Sequence, residues 1–455
     1  MNKIEDKNTS TKDMTKGSPF RHILLFMMPV LIGNVFQQVY SLVDSVIVGR
    51  YVGENALAAI GSTGSLTFFV IGWINGFTSG FAVMVSQAFG AGDEKRLKHY
   101  TGISMWLCIA FAILMTGGLL LLNDPILTLM KTPETIYADT DAYITIIYAG
   151  IAATIAYNML AALIRALGDS RTPLYFLVIS SIINVILDYA FVVKMDMGCA
   201  GAGYATIISQ TVSAVLCFIY MLKKFPILRI TREDMIFKWG IAWKLLSVGI
   251  PMGLQFSITA IGTIIVQAAL NGLGETYIAA YTACSRIQNI ITQPFPSIGA
   301  AIATYTGQNA GAGRIDRVKK GVNAGIILSA ITATIATVVI LFFGNDLVKI
   351  FGSEDGSQML SYCGIYFDRV VAFYFPLSLI FVYRNVLQGL GKGLVPMLGG
   401  VSELIARYVI VLLLTAPLGF AGVCWANAGA WMSALIPLIP VYYFYMRKTS
   451  RIAEV

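Results

Sequence analysis

Gln87-Ala-Phe-Gly90-Ala91-Gly92-Asp-Glu-Lys-Arg96 returns as Gln308-Asn-Ala-Gly311-Ala312-Gly313-Arg-Ile-Asp-Arg317, in the second half of a chain of 455. Other pairs keep the same offset to within two positions. Gly53-Glu54 ahead of Ala58-Ala59 matches Gly274-Glu275 ahead of Ala279-Ala280, and Pro29 matches Pro251. Leu167-Gly168 with Pro173 matches Leu390-Gly391 with Pro396, and Gly198, Gly201 and Ala205 match Gly419, Gly422 and Ala426. The repeated unit is therefore about half the chain, which implies a pseudo-symmetric body with something shared between its halves.

Composition says that the surrounding medium is lipid. The chain is 57% hydrophobic and only 12% charged, with a mean hydropathy of +0.73, whereas an ordinary soluble domain is about 25% charged. A span needs roughly 20 mostly apolar residues. Twelve stretches qualify, at about 22–48, 56–86, 99–122, 141–164, 173–193, 200–222, 242–270, 278–306, 321–343, 361–388, 394–416 and 420–446. Unpaired backbone is not tolerated in hydrocarbon, so these runs predict helices, with Pro29, Pro251, Pro294, Pro296 and Pro376 marking kinks. The fold expected is all-α and integral to the membrane. Its twelve transmembrane helices form two pseudo-symmetric six-helix bundles. Six spans per half is even, so the halves are parallel repeats about an axis along the membrane normal, with a central cavity between them. The domains read as a polar cytoplasmic tail (1–19), an N-lobe (20–222), a cytoplasmic linker (223–239), a C-lobe (240–446) and a cytoplasmic C-terminal tail (447–455).

Lys and Arg set the orientation. One set of loops carries Lys95, Arg96 and Lys98; Arg165 and Arg171; Lys223, Lys224, Arg229, Arg232 and Lys238; Arg314, Arg317, Lys319 and Lys320; Lys392; and Arg447, Lys448 and Arg451. The opposite loops carry Arg50, Lys131, Lys194 and Lys349, with Asp124, Glu134, Asp139, Glu354 and Asp355. The first side reads as cytoplasmic, which puts both termini inside the cell membrane. The formal charge of +8 is then explained by this bias and by anionic lipid, and no nucleic-acid partner is implied. Residues 1–19 lack the apolar core of a signal peptide, so the first span is expected to direct insertion. Cys108, Cys199, Cys217, Cys284, Cys363 and Cys424 lie scattered through or beside apolar spans and read as packing residues rather than ligands or disulfides.

Catalysis has little to work with. The chain holds two histidines, His22 and His99, and no Walker loop, nucleophile elbow or ligand cluster. An enzyme and an ATP-driven pump are both disfavoured, no cofactor is implied, and an ion gradient becomes the natural energy source. Acids inside spans are the sharpest local clue, because a charge at the bilayer centre costs roughly 2.5–3.5 kcal/mol even on lenient scales. Asp44 ends a stripe with Asn34, Gln37 and Ser41, whose steps of three and four share one helix face. Asn184 and Asp188 share a face of the fifth span, and Thr206, Gln210 and Ser213 a face of the sixth. A pocket of carboxylate, amide and hydroxyl oxygens suits Na⁺ and serves a proton equally. Hydrogen-bonded scaffolding is the bland alternative for the two acids. Against it, neither has Lys or Arg three or four positions away, and the second half has no acid at the matching places, Ile265 or Val266 and Val409 to Val411.

Two further charged pairs read first as structural, with a functional role for Glu403 and Arg407 as the alternative, and Arg286 is left open. Glu403 and Arg407 are four apart with the acid first, the favourable order for an intrahelical ion pair. Asp368-Arg369 reads as a solvated pair at the outer start of the tenth span, and Arg286 has no local partner.

Pro29, Asp44 before Val48-Gly49, Gly53-Glu54-Asn-Ala-Leu-Ala-Ala59, the repeated Gln-x-x-Gly-Ala-Gly, Arg165-Ala-Leu-Gly168-Asp169 and Asn184-x-x-x-Asp188 occur together in this chain. Over about residues 20–446 the chain resembles the multidrug and toxic compound extrusion (MATE) family. The resemblance implies two six-helix bundles that exchange small-molecule drugs or toxins, often cationic, for Na⁺ or H⁺ by alternating access. Carried over by position, the family's cation site falls on Asp44, Asn184, Asp188 and Thr206, with Gln37 beside it. Asn34, Ser41 and Gln210 become candidates for polar lining of the substrate cavity. The acids that the NorM-type branch places in its seventh and tenth spans are missing, with Thr259 and apolar residues in their place. The chain therefore looks closer to the DinF-like or MepA-like branches, and no C-lobe cation site is carried over. The alternative is a flippase for a lipid-linked oligosaccharide, which would need Arg286, Arg369 and Arg407 facing inward around a pyrophosphate.

Overall fold

Backbone in hydrocarbon must satisfy its hydrogen bonds within its own segment, and every regular element among the described residues is helical. The computed structural model describes residues 11–349 and 357–453. The helices are α1 (Pro19–Tyr51), α2 (Glu54–Ser62), α3 (Gly64–Gly90), α4 (Glu94–Leu121), α5 (Asn123–Leu129), α6 (Glu134–Ala149), α7 (Ile151–Ala166), α8 (Arg171–Asp188), α9 (Gly198–Lys224), α10 (Trp239–Asn271), α11 (Glu275–Ile291), α12 (Pro294–Gly311), α13 (Ile315–Lys349), α14 (Ser357–Val370), α15 (Tyr374–Gly389), α16 (Leu394–Leu418) and α17 (Phe420–Ala453). Glu354 and Asp355, which enter the orientation argument, lie outside the described residues, as does most of the N-terminal tail.

Among the described residues, ten helical stretches are long and apolar enough to cross a membrane, and eleven if α6 and α7, bent by 47°, form one span. The expected count of twelve is thus not reached by this measure. The missing one is 278–306. It is helical, but it breaks at Thr292–Gln293 into α11 and α12 and carries Arg286, Gln288, Asn289 and Gln293. The proline reading also needs correction. Pro29 and Pro251 do stand inside helices. Pro294 and Pro296 instead open α12, and Pro376 lies in the first turn of α15, where the missing N–H has no helical partner to lose.

The chain forms two compact units. Unit 1 holds Met1–Asp13 and Ile32–Gly249; unit 2 holds Met14–Leu31 and Ile250–Val455. The expected lobes divide at helix ends, whereas the units divide inside α1 and α10, close to the repeated prolines Pro29 and Pro251. The duplication extends to backbone conformation. Gly53 and Gly274 precede α2 and α11 with φ 121° and 124°, and Gly92 and Gly313 of the repeated motif have φ 69° and 71°. Only glycine adopts these angles without steric strain, so the spacing of the repeat is also a spacing of turns.

In unit 2 the core runs from Ile23, Phe26 and Met27 of α1 to Tyr442 and Met446 of α17. Large apolar side chains also cover the outside, such as Leu341, Phe342 and Phe343 on α13 at 68%, 76% and 57% exposure. A soluble helix would hide that face; one in lipid has no reason to.

Candidate functional site

The site lies in unit 1, where α1 and α8 each carry one acid in an otherwise apolar segment. Asp188 is fully buried and Asn184, one turn earlier, nearly so. The α-helical pattern ends at Asp188, and Tyr189–Lys194 continue as a π-helical turn. Such widened turns are frequent at functional positions. Asp44 is distant in sequence, on a different helix, yet its carboxyl lies within hydrogen-bonding reach of that of Asp188. Neither group brings a donor to the other unless one is protonated. Accordingly Oδ1 of Asp44, both carboxyl oxygens of Asp188 and both side-chain polar atoms of Asn184 are buried without a hydrogen-bond partner. Neither acid forms a salt bridge with a described residue. Orphaned buried oxygens are rare in folded proteins, and a cluster of hard oxygen acceptors is what a proton or Na⁺ takes up.

Two tyrosines join the acids. Tyr40, one turn before Asp44, lies in the field of both carboxyls, and Tyr143 of α6 lies in the field of the same two groups. Tyr40 was legible as the i,i+4 neighbour of Asp44; Tyr143 has no local signal. One turn further along both helices, Val48 and Val192 enter an apolar cluster with Tyr143, Cys199 and Ala202. The pair is thus sealed by apolar packing beyond Tyr143.

The structure draws the other expected residues in unequally. Thr206 and Gln210 are half-buried on α9, Gln210 with its Oε1 buried and unpartnered. Ser213 is structural: its hydroxyl donates to the Phe176 carbonyl of α8 at 3.1 Å, as Ser180 does to the Ser209 carbonyl at 2.9 Å, and these bonds hold α8 to α9. Asn34 is half-buried, and Gln37 and Ser41 are exposed on the stripe leading to Asp44.

In unit 2 the expected ion pair of Glu403 with Arg407 is present at 4.0 Å, and a second guanidinium joins it: Arg384 of α15 hydrogen-bonds the other carboxyl oxygen. The spacing rule finds pairs within one helix and is blind to a guanidinium arriving from another. Arg369 and Asp368 pair at 3.6 Å with the acid exposed, in the last turn of α14, and Arg286 is exposed. All six cysteines are buried and free.

Comparison with known proteins now places the fold. The MatE family model matches residues 29–190 and again 251–413, so it meets the chain twice at the spacing of the internal repeat. The "Probable multidrug resistance protein YpnP" of Bacillus subtilis (strain 168) is 30% identical over 436 residues, which is 95% of this chain and 96% of that protein. The "Probable multidrug resistance protein YoeA" of the same organism is 28% identical over 77% of this chain and 78% of its own. Among solved structures, an outward-facing multidrug resistance MATE family transporter of the MOP superfamily superimposes with a TM-score of 0.91 at 20% identity, covering 98% of this chain and 99% of that one. With the family model matched twice over most of its length, the chain belongs to the multidrug and toxic compound extrusion (MATE) family of multi-pass membrane transporters.

Proposed function

We propose that this protein exports organic compounds, many of them cationic, in exchange for inward flow of Na⁺ or H⁺ by alternating access. In this reading Asp44, Asn184, Asp188 and Thr206, with Gln37 alongside, form the cation site, and Asn34, Ser41 and Gln210 line the path of the substrate. Both termini face the cytoplasm of the cell membrane, with the basic loops. The observation that carries the reading is the approach of the half-buried Asp44 carboxyl to the fully buried one of Asp188, a pair that has no salt-bridge partner among the described residues and leaves three oxygens without a donor. Such a pair is held together by a proton or a cation and repelled apart without one. Occupancy thus determines how closely α1 and α8 pack at this point. A ligand with different affinity for two states shifts the balance between them, and a site that α1 half-owns links ion binding to helix position. The multidrug resistance names of the relatives support the substrate class.

The energy suffices. One monovalent cation gains about 2.3 kcal/mol per 100 mV of membrane potential, and each tenfold concentration ratio adds about 1.4 kcal/mol. Efflux of a fluorescent organic cation from proteoliposomes, driven separately by a Na⁺ gradient and by a pH gradient, tests this. At least one gradient should accelerate efflux; indifference to both would sink the proposal.

A further inference from the structure

The geometry points to an anion-binding site in unit 2, built on Arg407 and Arg384 and fitted to the carboxylate or phosphate group of a ligand. It stands on its own observations and does not depend on the cation reading. Arg384, Glu403 and Arg407 are 8%, 6% and 6% exposed, so two guanidinium groups and one carboxylate are buried together. Oε1 of Glu403 accepts from Nη2 of Arg384, and Oε2 faces Nη2 of Arg407 at 4.0 Å, an ion pair too long for a hydrogen bond. Nε and Nη1 of Arg407 and Nε of Arg384 are buried without any partner. An arginine cannot shed its charge, so the cluster keeps one net positive charge and several aimed donors. The remaining described acids of unit 2 cannot balance it. Glu275 and Asp316 sit in the first turns of α11 and α13, and Asp346 and Asp368 near the ends of α13 and α14, each with its own Lys349 or Arg369. One carboxylate cannot neutralise two buried guanidinium groups or fill their remaining N–H donors, and a planar oxoanion is the partner whose geometry matches the fork.

The surroundings are shaped for this. Arg407 lies over Gly262 of α10, where a Cβ would come within 2.6 Å of Nη1 and 3.2 Å of Cδ; only glycine leaves the guanidinium its place. Gln388 donates to Gln255 at 3.2 Å, and the Asn427 amide donates to the Tyr281 hydroxyl at 2.9 Å, with Tyr281 in the field of Arg407. The position in the fold is equally telling. At the offset of the repeat, Gly262 takes the place in the second half that Tyr40 takes in the first, and Arg407 the place of Asn184. The same helix pair, α1 with α8 and α10 with α16, therefore makes both pockets. In unit 1 it holds two acids, and in unit 2 an arginine over a glycine.

A phosphate can come from a soluble compound or from a lipid headgroup, and the test separates them. The full-length protein in phosphatidylcholine nanodiscs is titrated with benzoate and with phenyl phosphate at constant ionic strength by isothermal calorimetry. Saturable binding is expected, weakened at least tenfold by Arg407→Met and less by Arg407→Lys, which keeps the charge but loses the fork. Glu403→Gln should tighten binding several-fold, because it frees Arg384 and adds one positive charge; a purely structural ion cluster would yield no such gain. Gly117→Ala on α4, which meets nothing within 4 Å, should leave anion binding unchanged. Repeating the titration with phosphatidylglycerol in the nanodisc assigns the source: competition means a lipid headgroup occupies the site, and its absence means a soluble ligand does. No binding by the wild type in either lipid, or undiminished binding by Arg407→Met, overturns the proposal. Should Arg407→Met fail to fold, a Glu403→Gln variant that binds no tighter than wild type overturns it equally.

Discussion

Replacing Asp188 by asparagine removes one charge and almost no volume from the carboxyl pair. At about 4 Å and an effective dielectric of about 20, a monovalent cation loses roughly 4 kcal/mol of attraction when one of two carboxylates becomes neutral. That corresponds to about a thousandfold in ion affinity. The full-length variant is reconstituted beside wild type, and the Na⁺ and pH dependences of organic-cation efflux are measured over four decades. On the proposed mechanism, the half-saturating concentration of the coupling ion should move out of range in the variant, while the protein remains folded in the bilayer. The double variant Asp44→Asn with Asp188→Asn should be no worse than the single one, because in the proposed site the two groups hold one ion and their effects are not additive. A single variant that retains the wild-type dependence on both ions refutes the reasoning, since Asp188 would then be a scaffold residue.

Within unit 1, a Cβ on Gly80 would lie 2.5 Å from the Gly249 Cα where α3 meets α10. Gly80→Ala should therefore lower stability by about 1–3 kcal/mol, read as a lower melting temperature in detergent, whereas Gly117→Ala, which meets nothing within 4 Å, should not. In unit 2, Arg317 donates to the carbonyls of Met14, Lys16 and Gly17 and to Asn309. Arg317→Ala should free that segment, and trypsin cleavage after Lys16 should speed up about ten- to a hundredfold, for bonds worth roughly 1.5–3 kcal/mol. The linker should loosen in acid. Burial works against the Asp234 carboxylate, but the N–H and hydroxyl of Thr231, with His99 and Lys98 nearby, outweigh it and hold the group below its usual range. A depressed carboxyl contributes stability that is complete above its unfolded value of about 4 and vanishes as pH falls through the folded value. Hydrogen exchange of 225–238 should rise below about pH 4 in wild type and show no such step in Asp234→Asn.

Much of the architecture is readable along the chain because its signals are local. Hydropathy marks most spans within their own length, and a glycine at positive φ carries its turn with it, so the repeat of 87–96 at 308–317 announces a repeat of backbone. That signal fails where a span is not uniformly apolar. The stretch 278–306 reads as one span, but it carries Arg286 and three side-chain amides and breaks before Pro294. Asp44 and Asp188 stand out separately, since an acid without a basic neighbour on its own span is a local oddity. That Tyr143 stands beside them, or that Arg384 takes Glu403, has no trace at any spacing along one helix.

The amino-acid order by itself determined the medium, the duplication and the two acids the second half lacks. Tertiary structure decided which groups touch: Asp44 with Asp188 from helices far apart in the chain, Arg384 with Glu403 between α15 and α16, and the passage of α1 and α10 from one unit to the other. The physical reason is range. Transfer into lipid and backbone conformation are set residue by residue, whereas a contact between side chains depends on how whole helices are rotated and stacked, and that is settled only when all of them pack.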